Sequence, residues 1–292
     1  CLIPTALAAD SAASEWILRY EKPAARWEEA LPVGNGHLGA MVFGGIEAER
    51  IQFNEHTVWS GRPRSYARKD AVKLLPEIRR LLFAGQQREA ERLAMGGFMG
   101  DPIRQKAYQP CGDLLIESTP ADGTQGYARW LDLDSATAVT TWTSQGVTFR
   151  RETFASHPDR LLVTRISAKA PGKLCATLRF GCVHADHTVE ADGPSALVLR
   201  GRVEADGVAF EARAGVLHHG GTITPLAGAL RVADADWIEI RCAAATNVAS
   251  WKSLEADPTA RVAEVVEKSA DIAFDDLRQR HLADHQGLFR RV

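Results

Sequence analysis

The densest group of chemistry-bearing side chains is Asn54-Glu55-His56-Thr57-Val58-Trp59-Ser60-Gly61. An amide, a carboxylate and an indole together offer hydrogen bonds to hydroxyls and a flat apolar platform, the combination that sugar sites use. The same residues also suit a strand end, with Asn54 and Glu55 bonding loop backbone and Trp59 filling a domain interface. The second reading is the favoured one, because an aromatic beside polar groups occurs in many structural turns. Gly34-Asn35-Gly36-His37-Leu38-Gly39 has the glycine spacing of a dinucleotide loop. That chemistry needs a strand before the loop and a helix N-terminus after it. Here Leu31-Pro32-Val33 precedes and Ala40 to Gly45 follows, and the latter reads as strand. The glycines are therefore expected to permit a tight turn and close backbone approach.

Other reactive residues do not assemble into a site. His184-Ala185-Asp186-His187 and His218-His219 carry metal-type donors without a recognised ligand spacing, and they read as loop histidines after strands. No metal and no cofactor is expected. The five cysteines (Cys1, Cys111, Cys175, Cys182 and Cys242) include no C-x-x-C pair. Cys175 and Cys182 fall on one predicted strand, roughly 23 Å apart at ~3.3 Å per residue, too far for a disulfide. Most of the thiols are expected to be small buried hydrophobes. No G-x-S-x-G elbow is present. Asp and Glu number 37, but a glycosidase pair is defined by its separation across the scissile bond, so sequence alone assigns no catalytic residue.

The elements that must position these residues are mostly strands. Turn-bounded segments are predicted at Trp16 to Glu21, Leu38 to Ile46, Arg50 to Asn54 and Asp113 to Glu117. Others run from Ala128 to Asp134, Thr137 to Thr143, Val147 to Phe154, Leu161 to Ala168 and Lys173 to Val183. Ala196 to Val203, Val208 to Ala214 and Trp237 to Ala243 complete the set. Gly, Pro, Asp and Ser clusters separate them at about 8–12 residues, as in an antiparallel β-sandwich. A helical insert interrupts the pattern. Val72, Leu74, Leu75, Ile78, Leu81 and Leu82 recur at helical spacing after Asp70, a candidate N-cap. Gly85 should break this helix, Gln86 to Met95 should resume it, and the Gly96–Gly100 loop should cover a neighbour or move. Asp257-Pro258 marks a helix start, and an amphipathic helical segment follows to the end. The fold class is thus mainly β, a large antiparallel sandwich over 15–256, with a helical insert and a C-terminal helical linker over 257–292.

Composition narrows the function classes. Lys plus Arg is 35 against 37 Asp plus Glu, a formal net charge of −2, unlike the basic excess of nucleic-acid binders. Hydrophobic residues at 45% and charged residues at 25% are ordinary globular values. No apolar run is long enough for a transmembrane helix. The apolar start ending in Ala6-Leu7-Ala8 looks like the tail of a secretory signal. A rival reading makes Cys1 the lipid-bearing residue of a bacterial lipoprotein. Residues 1–14 are accordingly expected to be a signal tail or disordered terminus, and the protein periplasmic or secreted.

Several ordered blocks together resemble one family. Trp27-Glu28-Glu29-Ala30-Leu31-Pro32-Val33-Gly34-Asn35-Gly36-His37-Leu38-Gly39-Ala40-Met41, followed by Asn54-Glu55 and Trp59-Ser60-Gly61, is similar to the N-terminal domain of family 95 glycoside hydrolases. So are Tyr108-Gln109-Pro110-Cys111-Gly112-Asp113-Leu114, Tyr127 to Leu133, Phe149 to Phe154, Ser156-His157-Pro158-Asp159 and His281 to Val292. The resemblance implies a large β-sandwich, a helical linker and an α/α barrel that carries the reacting groups. It further implies hydrolysis of terminal α-L-fucosyl linkages with inversion, or of α-L-galactosides in some members. No catalytic residue carries over, because the barrel positions have no counterpart in these residues. Asn35, Asn54, Glu55 and Trp59 become candidates for the substrate cleft or the seam with the barrel. The implied partners are a fucosylated glycan and the protein's own barrel. A noncatalytic carbohydrate-binding or scaffold module is the alternative.

Overall fold

The computed structural model describes residues 16–118 and 123–291. The expectation for residues 1–14 lies outside them. The described strands form two sheets, and every pairing is antiparallel. The larger has nine strands, in spatial order β1 (Ile17–Tyr20), β6 (Gln125–Asp132), β7 (Thr137–Ser144), β8 (Val147–Ser156), β9 (Leu161–Ala168), β16 (Trp237–Thr246), β13 (Ala209–His219), β12 (Ala196–Arg202) and β11 (Asp186–Asp192). The smaller has seven, in the order β14 (Thr222–Leu226), β15 (Ala229–Ala235), β10 (Leu174–Gly181), β5 (Gly112–Ser118), β4 (Ala48–Glu55), β3 (Leu38–Val42) and β2 (Leu31–Gly34). After β9 the chain crosses to the smaller sheet for β10, returns for β11 to β13, crosses again for β14 and β15, and ends in β16.

Local chemistry explains the turns. Gln145 and Gly146 both sit at positive φ, 49° and 76°, the conformation that joins β7 to β8 through two residues and matches the strand twist. Along β4 burial alternates with a period of two, so Glu49, Ile51, Phe53 and Glu55 face inward while Asn54 faces out. Ile51, Phe53, Leu114 and Ile116 of the smaller sheet meet Trp142, Leu162, Leu199 and Ile240 of the larger in one core.

The middle of the larger sheet is covered on its other side too. Phe154, Leu161, Val163, Ala243 and Ala245 pack under Val262, Phe274 and Leu277 of helices α3 (Pro258–Ser269) and α4 (Phe274–Phe289). Full burial of a side chain such as Leu277 contributes about 1.5–3 kcal/mol. Asp257 caps α3 as expected, accepting from the Thr259 and Ala260 amides at 2.9 and 3.3 Å. Arg241 of β16 donates to the Ile272 carbonyl at 2.7 Å and to that of Ser269, which fixes the bend between the helices. His281 and His285 of α4 bond the carbonyls of Ser135 and Leu133, each at 2.8 Å. Arg290 grips both oxygens of Asp134 at 2.7 Å.

The insert is α1 (Ala71–Phe83), α2 (Gln87–Leu93) and a π turn over Ala94–Phe98, with a small core of Ile78, Leu81 and Ala90. Asp70 does not cap α1; it pairs with Lys73 at 2.6 Å, one turn along. Gly85, at φ 72°, ends the helix as expected. Gly96 to Phe98 fall within the π turn rather than in a loop.

Strands β2, β11, β14 and β15 were not expected. The first three carry edge features, namely Pro32 and Gly34 in β2, a polar run in β11 and Pro225 in β14, which dilute the strand signal. His187 therefore lies in β11, and His218 and His219 end β13, rather than occupying loops. The four described cysteines are free. Cys111 and Cys242 are buried, whereas Cys175 and Cys182 are only partly so. Burial pushes the Cys242 thiol up to about 12. Among the described residues no helix is long and apolar enough to cross a membrane.

Candidate functional site

One end of the sandwich carries a recess of 960 Å³. Its floor is the β2–β3 turn, the end of β4, the β8–β9 turn and the end of β16; α3 and α4 form the wall. The sequence blocks around residues 34–39, 54–61 and 156–159 thus meet in one place.

Asn35 builds the floor. Gly36 takes φ 80°, and the Asn35 Oδ1 accepts from the amides of His37 and Leu38 at 2.9 and 2.6 Å. Its Nδ2 donates to the Ser156 carbonyl at 2.8 Å, tying the smaller sheet to the larger. The glycine-rich block is a hairpin turn, as expected, and the polar atoms of Asn35 are consumed by backbone.

Glu55 projects inward from β4 and is 2% exposed. Its Oε2 accepts from the Thr57 amide at 2.7 Å and the Thr57 hydroxyl at 2.6 Å. Its Oε1 faces His56 Nδ1 at 2.9 Å and His37 Nδ1 at 3.5 Å. The pairing of β3 with β4 sets Leu38 opposite Glu55, and the His56 amide donates to the His37 carbonyl at 3.0 Å. Register therefore brings the two imidazoles together, 4.9 Å between ring centres. Burial holds the His37 imidazole below its ordinary pKa, against the pull of Glu55.

The other carboxylates of the recess are also engaged. Asp159 accepts from the Ser156 hydroxyl at 2.6 Å and pairs with Arg280 at 2.7 Å. Glu264 pairs with Lys268 one turn along α3. Asn54, on the outward face of β4, does not reach the recess; its Oδ1 accepts from the Glu55 amide at 3.1 Å.

Trp59 lies beside a second concavity of 380 Å³ that adjoins the first at His56 and Thr57. Its Nε1 donates to the His56 carbonyl at 3.1 Å, and its ring lies 5.0 Å from that of Tyr108. The indole is 40% exposed. Tyr66 and Trp251 line the same hollow.

Residues 18–251 match the sequence model of the glycosyl hydrolase family 65 N-terminal domain. The chain belongs to this family. It is 30% identical to "Alpha-L-fucosidase 2" of Arabidopsis thaliana, over 94% of this chain and 36% of the relative. It is 26% identical to "Probable alpha-fucosidase A" of Aspergillus niger, over 90% of this chain and 35% of the relative. The chain thus spans about a third of the length of these curated relatives. Among solved structures, a putative kojibiose phosphorylase from human microbiome aligns with TM-score 0.48 and 8% identity over 94% of this chain and 38% of its own.

Of the four residues singled out from sequence, Asn35 and Glu55 line the recess, Trp59 borders its neighbour and Asn54 faces away. His37, His56 and Asp159 were missed as site residues, although each sits inside a block that was noted. The available signal was the hairpin itself, since pairing Leu38 with Glu55 necessarily sets His37 beside His56.

Proposed function

We propose that this chain is the N-terminal β-sandwich region of an exported family 95 glycoside hydrolase that removes terminal α-L-fucose from glycans with inversion. The reacting groups belong to an α/α barrel outside residues 1–292, toward which 257–292 leads. The similarity to two proteins named as α-fucosidases, over nine-tenths of this chain, carries this reading. The site chemistry agrees with it. Inversion needs an acid and a water-activating group about 6.5–9.5 Å apart and free to act. Glu55, Asp159 and Glu264 are instead each held by a local partner.

The test uses the complete polypeptide and the 292-residue chain side by side on an aryl α-L-fucoside, with the anomer of the released sugar followed by NMR. The complete enzyme should release β-L-fucose and the shorter chain should release none. Turnover by the 292-residue chain, abolished by one carboxylate substitution within it, would overturn the assignment. A sugar-binding role for this region is a second reading, favoured by the exposed Trp59–Tyr108 pair beside polar groups. Measurable fucose binding by the shorter chain without turnover supports it.

A further inference from the structure

We propose that His37, Glu55 and His56 form a binding site for one divalent cation of the zinc type, open toward the 960 Å³ recess. Two imidazole nitrogens and one carboxylate oxygen are the donor set that borderline transition metals take when other coordination positions stay free. The spacing fits. Bonds of 2.0–2.1 Å in a tetrahedral shell put neighbouring ligand atoms about 3.3 Å apart. Glu55 Oε1 lies 3.5 Å from His37 Nδ1 and 2.9 Å from His56 Nδ1, and the three donor atoms all fall within 4.8 Å of one another.

Ion pairs of Glu55 with both rings would give the same distances, and the titration below separates that case from a bound cation. The 3.5 Å contact is too long for a hydrogen bond, yet His37 still turns a ring nitrogen to the same carboxylate oxygen. A cation among the three explains why one oxygen attracts both rings. It also supplies charge to a carboxylate that is 2% exposed and whose side-chain partners among the described residues are Thr57, His37 and His56.

The supporting shell is already built. Thr57 pins the other oxygen of Glu55 through its amide and hydroxyl, and Thr57 in turn touches the Thr246 hydroxyl. Such outer contacts orient metal ligands and contribute substantially to affinity. His37 and His56 flank the paired strand ends Leu38 and Glu55, and the His56 amide donates to the His37 carbonyl at 3.0 Å.

The experiment titrates the 292-residue chain with Zn²⁺ by calorimetry and with Co²⁺ by visible absorption. One equivalent of each should bind, and Co²⁺ should give the intense d–d bands of a four- or five-coordinate nitrogen–oxygen site. His37→Ala and His56→Ala should each weaken Zn²⁺ binding by about 100-fold or more, beyond the 10–100-fold typical of supporting residues. A His218→Ala/His219→Ala double variant should bind as the parent does. Saturating Zn²⁺ should raise the unfolding midpoint of the parent and not of His56→Ala. Since His56 is half-exposed, its variant keeps the fold and the test does not depend on altering buried Glu55. No binding by the parent up to about millimolar Zn²⁺, or unchanged binding in both histidine variants, would overturn the proposal.

Discussion

Arg151 of β8 and Glu49 of β4 form an ion pair that bridges the two sheets inside the sandwich, with side-chain exposures of 2% and 0%. The amides of Phe43 and Gly44 donate to the same carboxylate at 3.1 Å, and Arg151 also reaches the Gly45 carbonyl at 2.7 Å. Burial pushes the Glu49 carboxyl up, while Arg151 and the amides pull it down. Removing one partner of such a pair strands a buried charge, whereas removing both does not. Arg151→Met should cost roughly 3–5 kcal/mol, and adding Glu49→Leu should recover much of the loss. Urea unfolding of the three proteins measures both effects; a single-variant loss below about 1 kcal/mol would show that the pair does not lock the sheets.

Asn35 performs two tasks that substitution can separate. Asn35→Asp keeps the acceptor for the His37 and Leu38 amides and loses the donor to Ser156, while Asn35→Ala loses both. Stability should fall in the order Asn, Asp, Ala, with the alanine variant lower by about 1–3 kcal/mol. Equal losses in the two variants would mean that the tie to Ser156 is the whole effect.

Helix α4 should loosen in acid. Burial lowers the pKa of His281, outweighing its bond to the Ser135 carbonyl; His285 lowers it further, and Asp284 raises it. A folded pKa below the unfolded value means that the unfolded chain takes up the proton more readily. The stability concerned is therefore complete above the ordinary histidine value of about 6.5 and is lost as pH falls through the folded value. The unfolding midpoint should drop from pH 7.5 to 5.5 more steeply in the parent than in His281→Gln. Parallel pH profiles would remove His281 as the cause.

Trp59 distinguishes a seam from a sugar site. In the complete protein, Trp59→Ala should lower the unfolding temperature and leave KM nearly unchanged, because we place the loop at the junction with the barrel. A buried tryptophan lost from a packed core costs about 3–5 kcal/mol; in the 292-residue chain, where the indole is 40% exposed, the loss should be smaller. Unchanged stability with a large fall in kcat/KM would place the ring against the substrate instead.

The β character, the insert, the Asp257 cap and the hairpin at Asn35 were legible because each rests on local chemistry: period, punctuation and turn residues. Asp70 misled because an exposed aspartate before a helix can bond a lysine side chain one turn on as readily as the amides. The edge strands escaped because edges carry the polar and proline residues that otherwise mark loops. Which sheet each strand joins is set by contacts across long stretches of chain, as when β16 enters between β9 and β13. The same limit hid the His37–Glu55–His56 cluster. Residues 37 and 56 are neighbours only once the hairpin register is known.

Strand β16, at the centre of the larger sheet, has no wet face. All of β16 from Ile238 to Thr246 is buried, between the inter-sheet core on one side and α3 with α4 on the other. Amide hydrogens there reach solvent only when both coverings let go, so deuterium uptake at Ile240 to Ala245 should report global opening. The exposed strand β14 and the polar strand β11, at sheet edges, should exchange by local fraying long before. Deuterium uptake would then rank the strands by position in the sheet, irrespective of their order along the chain.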